Sequence, residues 1–313
     1  MSTWLGALFH TSSSQPAKPV ARPNPHIQHH NHQLHTISHA SPRHTHRHTP
    51  SNALQPLPPM KPSVPIGGSN WGSCGPTTSY SKGNLAGDFK SQGGEDKWLD
   101  DYVFRSAKHG TYLDIGCNDG IDGSNSWIFQ SSMRLWEGYC IEADPMKFRQ
   151  IAAHSRRRDG INLAVAKTNG TLPFTRVHDP NGGLSGLPSS SFDASRASHF
   201  RMETLWVNAT TPQQLLKKYY NGKRVVDYVS LDVEGSELDI IRAWPFDDPW
   251  CVDAWTIENN FFCNGGTILP MLKEVLGKHG YDYAKRIWVD ELFVRRQPCA
   301  MGVRWKGSAR PGR

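Results

Sequence analysis

From about residue 96 to residue 295 the chain alternates two patterns of apolar spacing. Short apolar runs rich in β-branched and aromatic residues occupy 111–117, 138–143, 161–166, 225–232 and 254–258. Such runs predict strands covered on both faces of a parallel sheet. Between them, 96–104, 124–134, 145–156, 211–220, 236–244 and 268–279 carry apolar residues at helical spacing. In the first of these, Trp98, Leu99, Tyr102 and Val103 share one predicted face. Helix starts are marked by Asp122 or Ser124, by Pro145 in a first turn, and by Thr211 with Pro212 after it; short polar side chains cap helices and proline suits a first turn. Residues 281–289 and 291–295 form a final hairpin-like pair. Alternating strands and helices predict an α/β fold: a doubly wound, mostly parallel sheet with an antiparallel last strand.

Ligands of such sheets bind beyond the carboxyl ends of the strands. Asp114, Glu142, Asp232 and Glu258 are all predicted there. The first strand runs into Gly116-Cys-Asn-Asp-Gly120, where glycines let the backbone turn sharply and approach a ligand. About 20 residues on, the second strand ends in Glu142-Ala-Asp144, where a nucleotide-binding βαβ unit places the acid for ribose hydroxyls. No third glycine follows in phase, so the dinucleotide fingerprint is incomplete and an NAD-dependent oxidoreductase is disfavoured. An acid beside the glycine turn suits a cationic amino-acid ligand instead, which points to S-adenosylmethionine. The bland alternative for Asp114 is a cap on the next helix. For the ribose, Asp144 is the alternative to Glu142, two residues on and on the same face of an extended chain.

Composition changes the picture at the N-terminus. No Asp or Glu precedes Asp88, whereas six Lys and Arg do; with those six set aside, 29 Lys+Arg face 28 Asp+Glu. The net charge of +7 therefore belongs mainly to the tail, and a near-neutral folded part argues against a nucleic-acid partner. Residues 1–90, rich in Pro, Ser and His, cannot bury enough apolar surface to order themselves, so a disordered tail is expected. Ten of the 15 histidines fall in its first 48 residues, irregularly spaced and without Cys or acid, which favours low complexity over a metal tract. The acid-free start also resembles a transit peptide, leaving a cytoplasmic or organellar location open. A single domain is expected at 91–300, with a basic tail at 301–313. The six cysteines form no CxxC pair, and Cys117 and Cys140 read as small buried thiols. No apolar run is long enough to span a bilayer.

These segments together resemble the FkbM family of S-adenosylmethionine-dependent methyltransferases. The resemblance is carried by Ser91-Gln-Gly-Gly-Glu-Asp96, by Tyr112-Leu-Asp-Ile-Gly-Cys-Asn-Asp-Gly120 with Ser124-Asn-Ser126, and by Cys140-Ile-Glu-Ala-Asp-Pro145. Asn162-Leu-Ala-Val165, Gly183-Leu-Ser-Gly186, and Asp227-Tyr-Val-Ser-Leu-Asp-Val-Glu-Gly235 with Glu237 complete it. It covers about 90–297 and departs from the family at Gln130, where an acid is usual. It implies a class I, Rossmann-like methyltransferase fold and O-methylation of a hydroxyl on a sugar, glycan or small natural product. Cofactor contacts would then fall to Asp114, Gly116, Asn118, Gly120 and Glu142, with Ala164 and Val165 lining an adenine slot or serving as plain core strand.

Asp232 and Glu234 are the catalytic candidates, because a hydroxyl acceptor needs its oxygen deprotonated or oriented by a carboxylate or a metal. Asp232, Glu258 and Asn259 look like the magnesium site of catechol-type O-methyltransferases, and hard oxygen ligands suit Mg²⁺; helix caps and hydroxyl contacts are the competing use. His178 and His199 flank the glycine-rich stretch at 181–191, itself long enough to be a functional loop. The alternative from another class is a catalytically silent methyltransferase-like module for binding or trafficking.

Overall fold

The computed structural model describes residues 88–154, 157, 159–179, 183–188, 198–247, 249–260 and 267–306. The expected N-terminal tail lies outside these residues up to position 87. The larger sheet contains β1 (Thr111–Ile115), β2 (Glu137–Glu142), β3 (Gly160–Asn162), β7 (Val225–Leu231), β8 (Cys251–Glu258), β9 (Tyr281–Ile287) and β10 (Asp290–Arg295). Their order is β3-β2-β1-β7-β8-β10-β9. The neighbours from β3 to β8 are parallel, and β10 runs antiparallel to both β8 and β9. This is a mixed α/β architecture with a mostly parallel central sheet, as the periodicity predicts.

Alternation along the central strands sorts the core into two faces. Leu113 and Ile115 join Val229, Leu231, Trp255 and Ile257 on one side. There they meet Leu215 and Leu216 of the helix Pro212–Tyr219, Ile240 and Ile241 of Glu237–Arg242, and Leu272 and Leu276 of Leu269–Lys278. Tyr112, Tyr228 and Ala254 face the other way, onto Leu99, Val103, Phe104, Ile128, Phe129 and Trp136. Burial on both faces is why these strands read as near-continuous apolar runs.

Four local expectations are revised. The first helical segment splits into Glu95–Trp98 and a π-helical stretch, Leu99–Phe104. Winding by i→i+5 shifts the face, so Leu99 and Val103 are buried while Tyr102 is exposed. The helix expected over 124–134 is the single turn Trp127–Gln130, because Ser124-Asn-Ser126 engages other strands. The third strand breaks at Leu163: β3 closes the edge of the main sheet, and β4 (Ala164–Val165) pairs with β6 (Met202–Thr210), itself paired with β5 (Gly170–Val177) in a second sheet. Beyond 300 the folded part continues, since Val303 is buried and its N–H donates to Asp227 Oδ1 at 2.7 Å.

The cysteines also differ from expectation. Cys117 is bonded to Cys140 and Cys251 to Cys299, with Cα separations of 5.7 and 5.9 Å. The spacing along the chain carries no sign of this. Cys117 meets Cys140 because the loop leaving β1 folds over β2, its neighbour in the sheet. Cys251 opens β8, and Cys299 lies on the C-terminal segment whose N–H donates to the buried Asp253 at 2.7 Å. Replacing both Cys251 and Cys299 by serine frees a 48-residue loop in the unfolded chain, which lowers stability by about 4 kcal/mol. Urea unfolding measures this, and an unchanged midpoint would contradict a stabilising bond.

Candidate active site

The site begins where the chain leaves β1. Gly116 has φ +85°, and a Cβ there would overlap the carbonyl oxygen of Asp232 at the end of β7. Only glycine allows that approach. The Asp232 N–H in turn donates to Ile115 O at 2.9 Å. The loop is drawn onto β2 on its other side, with the N–H groups of Gly116 and Cys117 both donating to Ile141 O. Asn118 (φ +53°) and Gly120 (φ +77°) complete a backbone with left-handed turns.

Glu142 lies beneath this loop. Its Oε2 accepts the Asn118 N–H at 2.9 Å and its Oε1 accepts the Asp144 N–H at 2.7 Å. Burial pushes its carboxyl up to about 8, against the lowering effect of those two N–H groups. Asp144 is engaged elsewhere: it caps the helix Pro145–Ala153 through Met146 N and holds both forks of Arg176. Of the two acids weighed for the ribose, Glu142 is the one attached to the glycine loop.

Asp114 is more enclosed than its sequence position suggests. Its Oδ2 accepts from Ser126 at 2.5 Å and from Ser124 at 3.4 Å, and lies 3.9 Å from the guanidinium of Arg157. Burial raises its carboxyl, while Arg157 and Ser126 oppose the rise. Arg157 is itself fully enclosed. It donates to Gly120 O (2.7 Å), Ser124 Oγ (2.8 Å), Ser126 Oγ (2.9 Å), Tyr112 Oη (3.2 Å) and Asp159 Oδ2 (3.1 Å). Gln130 joins the same network by donating to Asp159. Asn125 spans two other strands, donating to Ser230 Oγ of β7 at 3.3 Å and to Asp290 Oδ2 of β10 at 3.1 Å. The Ser-Asn-Ser triplet thus ties β1, β7 and β10 together under the cleft. Sequence reasoning did not find Arg157, which sits in a run of arginines at 156–158 that looks like a solvated surface.

Acids gather beyond β7 and β8. Asp232, Glu234 and Glu258 each present an oxygen within 4.8 Å of the others. Asn260 donates to both Glu234 and Glu258. Glu237 accepts from the N–H groups of Val233 and Gly235, which shapes the turn. Glu258 is held well above the usual carboxylate range by burial and then by Asp232, Glu234 and Glu237. Burial likewise raises Asp290, Glu237 (to about 7) and Glu95 (to about 7). The main-chain carbonyls of Val233 and Glu234 lie against Gly186, so the described part of the glycine-rich stretch borders this cluster.

Asn259 is not brought into it. Successive residues of a strand face opposite ways, and Asn259 donates to Glu291 (2.8 Å) and Thr267 (3.1 Å) and accepts from Ile268 N (3.3 Å). Glu234 takes its place beside Asp232 and Glu258. Ala164 and Val165 are buried in different core clusters, just past Leu163, whose N–H donates to Glu142 O. His178 pairs with Glu203 at 3.3 Å, and His199 is exposed.

The family model described as the methyltransferase FkbM domain matches residues 114–283. The chain belongs to the FkbM methyltransferase family. A comparison with curated proteins finds no match. The matched span of the FkbM domain runs from Asp114 to Tyr283, so Asp114, Glu142, Asp232, Glu234 and Glu258 all lie within it.

Two outcomes follow from this chemistry. In the native state the raised carboxyls hold protons that they lose in the unfolded chain above about pH 4.5. Their contribution is present below that value and is lost as pH rises through 7 to 8. The melting temperature of the ligand-free protein therefore falls between pH 5.5 and 8.5, and Glu142→Gln flattens the part of that fall near pH 8. Arg157→Met removes the donor from Gly120 O, Ser124, Ser126 and Asp159 and the positive charge beside buried Asp114, and costs about 3–5 kcal/mol. Urea unfolding of a variant as stable as wild type would show that the network carries no such weight.

Proposed function

We propose that the chain is an S-adenosylmethionine-dependent O-methyltransferase with a class I, Rossmann-like fold, acting on a hydroxyl of a sugar, glycan or small natural product. The observation that carries this reading is the contact of Gly116 with the carbonyl of Asp232. The contact lies between β1 and β7, where the strand order reverses: β2 and β3 follow on one side, and β7 and β8 on the other. Crevices at such reversals are where open α/β sheets bind ligands. The donor set fits the cofactor, since its sulfonium and ammonium are cationic and the cleft walls are carboxyls.

When bound, S-adenosylmethionine supplies an electrophilic methyl group. Asn118, Gly116 and Gly120 would shape the cradle and Glu142 would hold the ribose side. Asp232 and Glu234 would accept or orient the acceptor hydroxyl's proton as its oxygen takes the methyl group. Three carboxyls this close do not all ionise together, and burial with the neighbouring acids raises Glu258.

A Mg²⁺ ion is a second way to handle the acceptor oxygen, favoured by the 4.8 Å grouping of Asp232, Glu234 and Glu258. Its ligand set would differ from the sequence expectation by Glu234 in place of Asn259.

Full-length protein should bind S-adenosylmethionine in calorimetry, with NAD giving no comparable heat. Asp232→Asn keeps that binding within a few-fold and loses most turnover on a hydroxyl acceptor, as for an interaction made mainly in the transition state. Wild-type turnover in Asp232→Asn would refute the assignment. Loss of activity in EDTA with recovery in Mg²⁺ selects the metal version, and full activity in EDTA leaves the carboxylate alone. Cofactor binding without turnover on any hydroxyl acceptor would leave a silent binding module.

A further inference from the structure

We propose that the Cys117–Cys140 disulfide positions the cofactor loop, so that binding at this loop depends on the bond being oxidised. The proposal rests on the reading that residues 116–120 hold the cofactor. Cys117 immediately follows Gly116, and Cys140 precedes Glu142 by two residues. The bond therefore stands beside the Gly116 and Cys117 N–H bonds to Ile141 O and the Asn118 N–H bond to Glu142. A Cβ at Gly120 would lie 3.3 Å from Cys140 Sγ and 3.3 Å from Arg157 Nε, so the loop closes around the sulfur.

Asn118 has a positive φ, a conformation that costs a non-glycine residue and persists when surroundings enforce it, while Gly116 and Gly120 leave the backbone on either side free to depart from the observed path. Three hydrogen bonds to β2 share that task with one covalent bond. The pair is buried, Cys117 at 5% and Cys140 at 0% exposure, so a reductant reaches it only when the loop opens. A bound cofactor that holds the loop closed therefore slows reduction, and a bond that raises cofactor affinity is, at equilibrium, harder to reduce in the bound state by the same factor.

The reductant is a dithiol. Its thiolate attacks one sulfur of the pair and breaks the S–S bond through a mixed disulfide. Its second thiol then closes its own disulfide. Two electrons pass to the protein, and Cys117 and Cys140 end as two protonated thiols. A bond of this kind persists where the surroundings are oxidising.

The second bond, Cys251–Cys299, is an internal control. It opens β8, at the opposite end of that strand from Glu258. The test compares full-length Cys117→Ser/Cys140→Ser with Cys251→Ser/Cys299→Ser. In the first, the Kd for S-adenosylmethionine rises at least tenfold and KM for it rises more than kcat falls. Amide exchange at 117–120 also quickens. In the second, Kd stays within twofold although melting temperature drops. An unchanged Kd in the first variant, or an equal rise in both, overturns the proposal. So does the finding of free thiols at 117 and 140 in protein purified without reductant.

If the first variant does not fold, wild-type protein is treated with dithiothreitol and the two cysteines are followed by alkylation and mass spectrometry. Cofactor then slows their reduction, and the reduced protein shows the same rise in Kd; equal reduction rates with and without cofactor overturn the proposal. Should wild-type protein fail to bind S-adenosylmethionine at all, the cofactor assignment fails. Amide exchange at 117–120 in oxidised and reduced protein still decides whether the bond holds the loop.

Discussion

Where the chain turns out of β1, its backbone presses against the carbonyl of Asp232, and any side chain at Gly116 would occupy that oxygen's position. Everything at the carboxyl end of the sheet is arranged by this contact. It joins the first strand to the fourth parallel strand in sequence, two segments more than a hundred residues apart. It also brings the loop over Glu142 beside the turn that carries Asp232 and Glu234. Parallel pairing makes the contact possible, since neighbouring strands then end on the same side.

The cleft so formed is dominated by carboxyls whose desolvation outweighs their hydrogen bonds. Glu142 receives two N–H groups and is still pushed up to about 8. Glu258 has three further acids acting on it. Such a cluster favours cations or shared protons. Below the cleft the balance reverses. Arg157, surrounded by Asp114, Asp159 and two serines, offsets buried negative charge.

Much of this architecture was legible along the chain. Apolar runs predicted the five parallel strands of the main sheet, because burial on both faces imposes one residue type regardless of neighbours, and the last two strands were read as a hairpin-like pair. Motifs at 112–120, 140–145 and 227–235 placed the glycine loop and the acids at strand ends. The second sheet was missed. Its strand Met202–Thr210 is half exposed, with Trp206 at 71%, so it alternates instead of forming an apolar run. The split after Asn162 was missed too, since Ala164 and Val165 continue the same β-prone pattern into a different sheet.

By itself, the sequence determined the order of the main sheet's elements, the position of the glycine loop and the acids at the strand ends, because these depend on local backbone freedom and on apolar spacing. The tertiary structure alone decided which of those groups meet. Asn259 and Asn260 differ by one position, and the pleat of the strand sends the first to Glu291 and leaves the second beside Glu234 and Glu258. Arg157 became an interior cation, and Cys117 found Cys140, through the folding of a loop over a neighbouring strand. Long-range juxtaposition of that kind leaves no periodicity in the chain, since it arises from the path of the backbone through space.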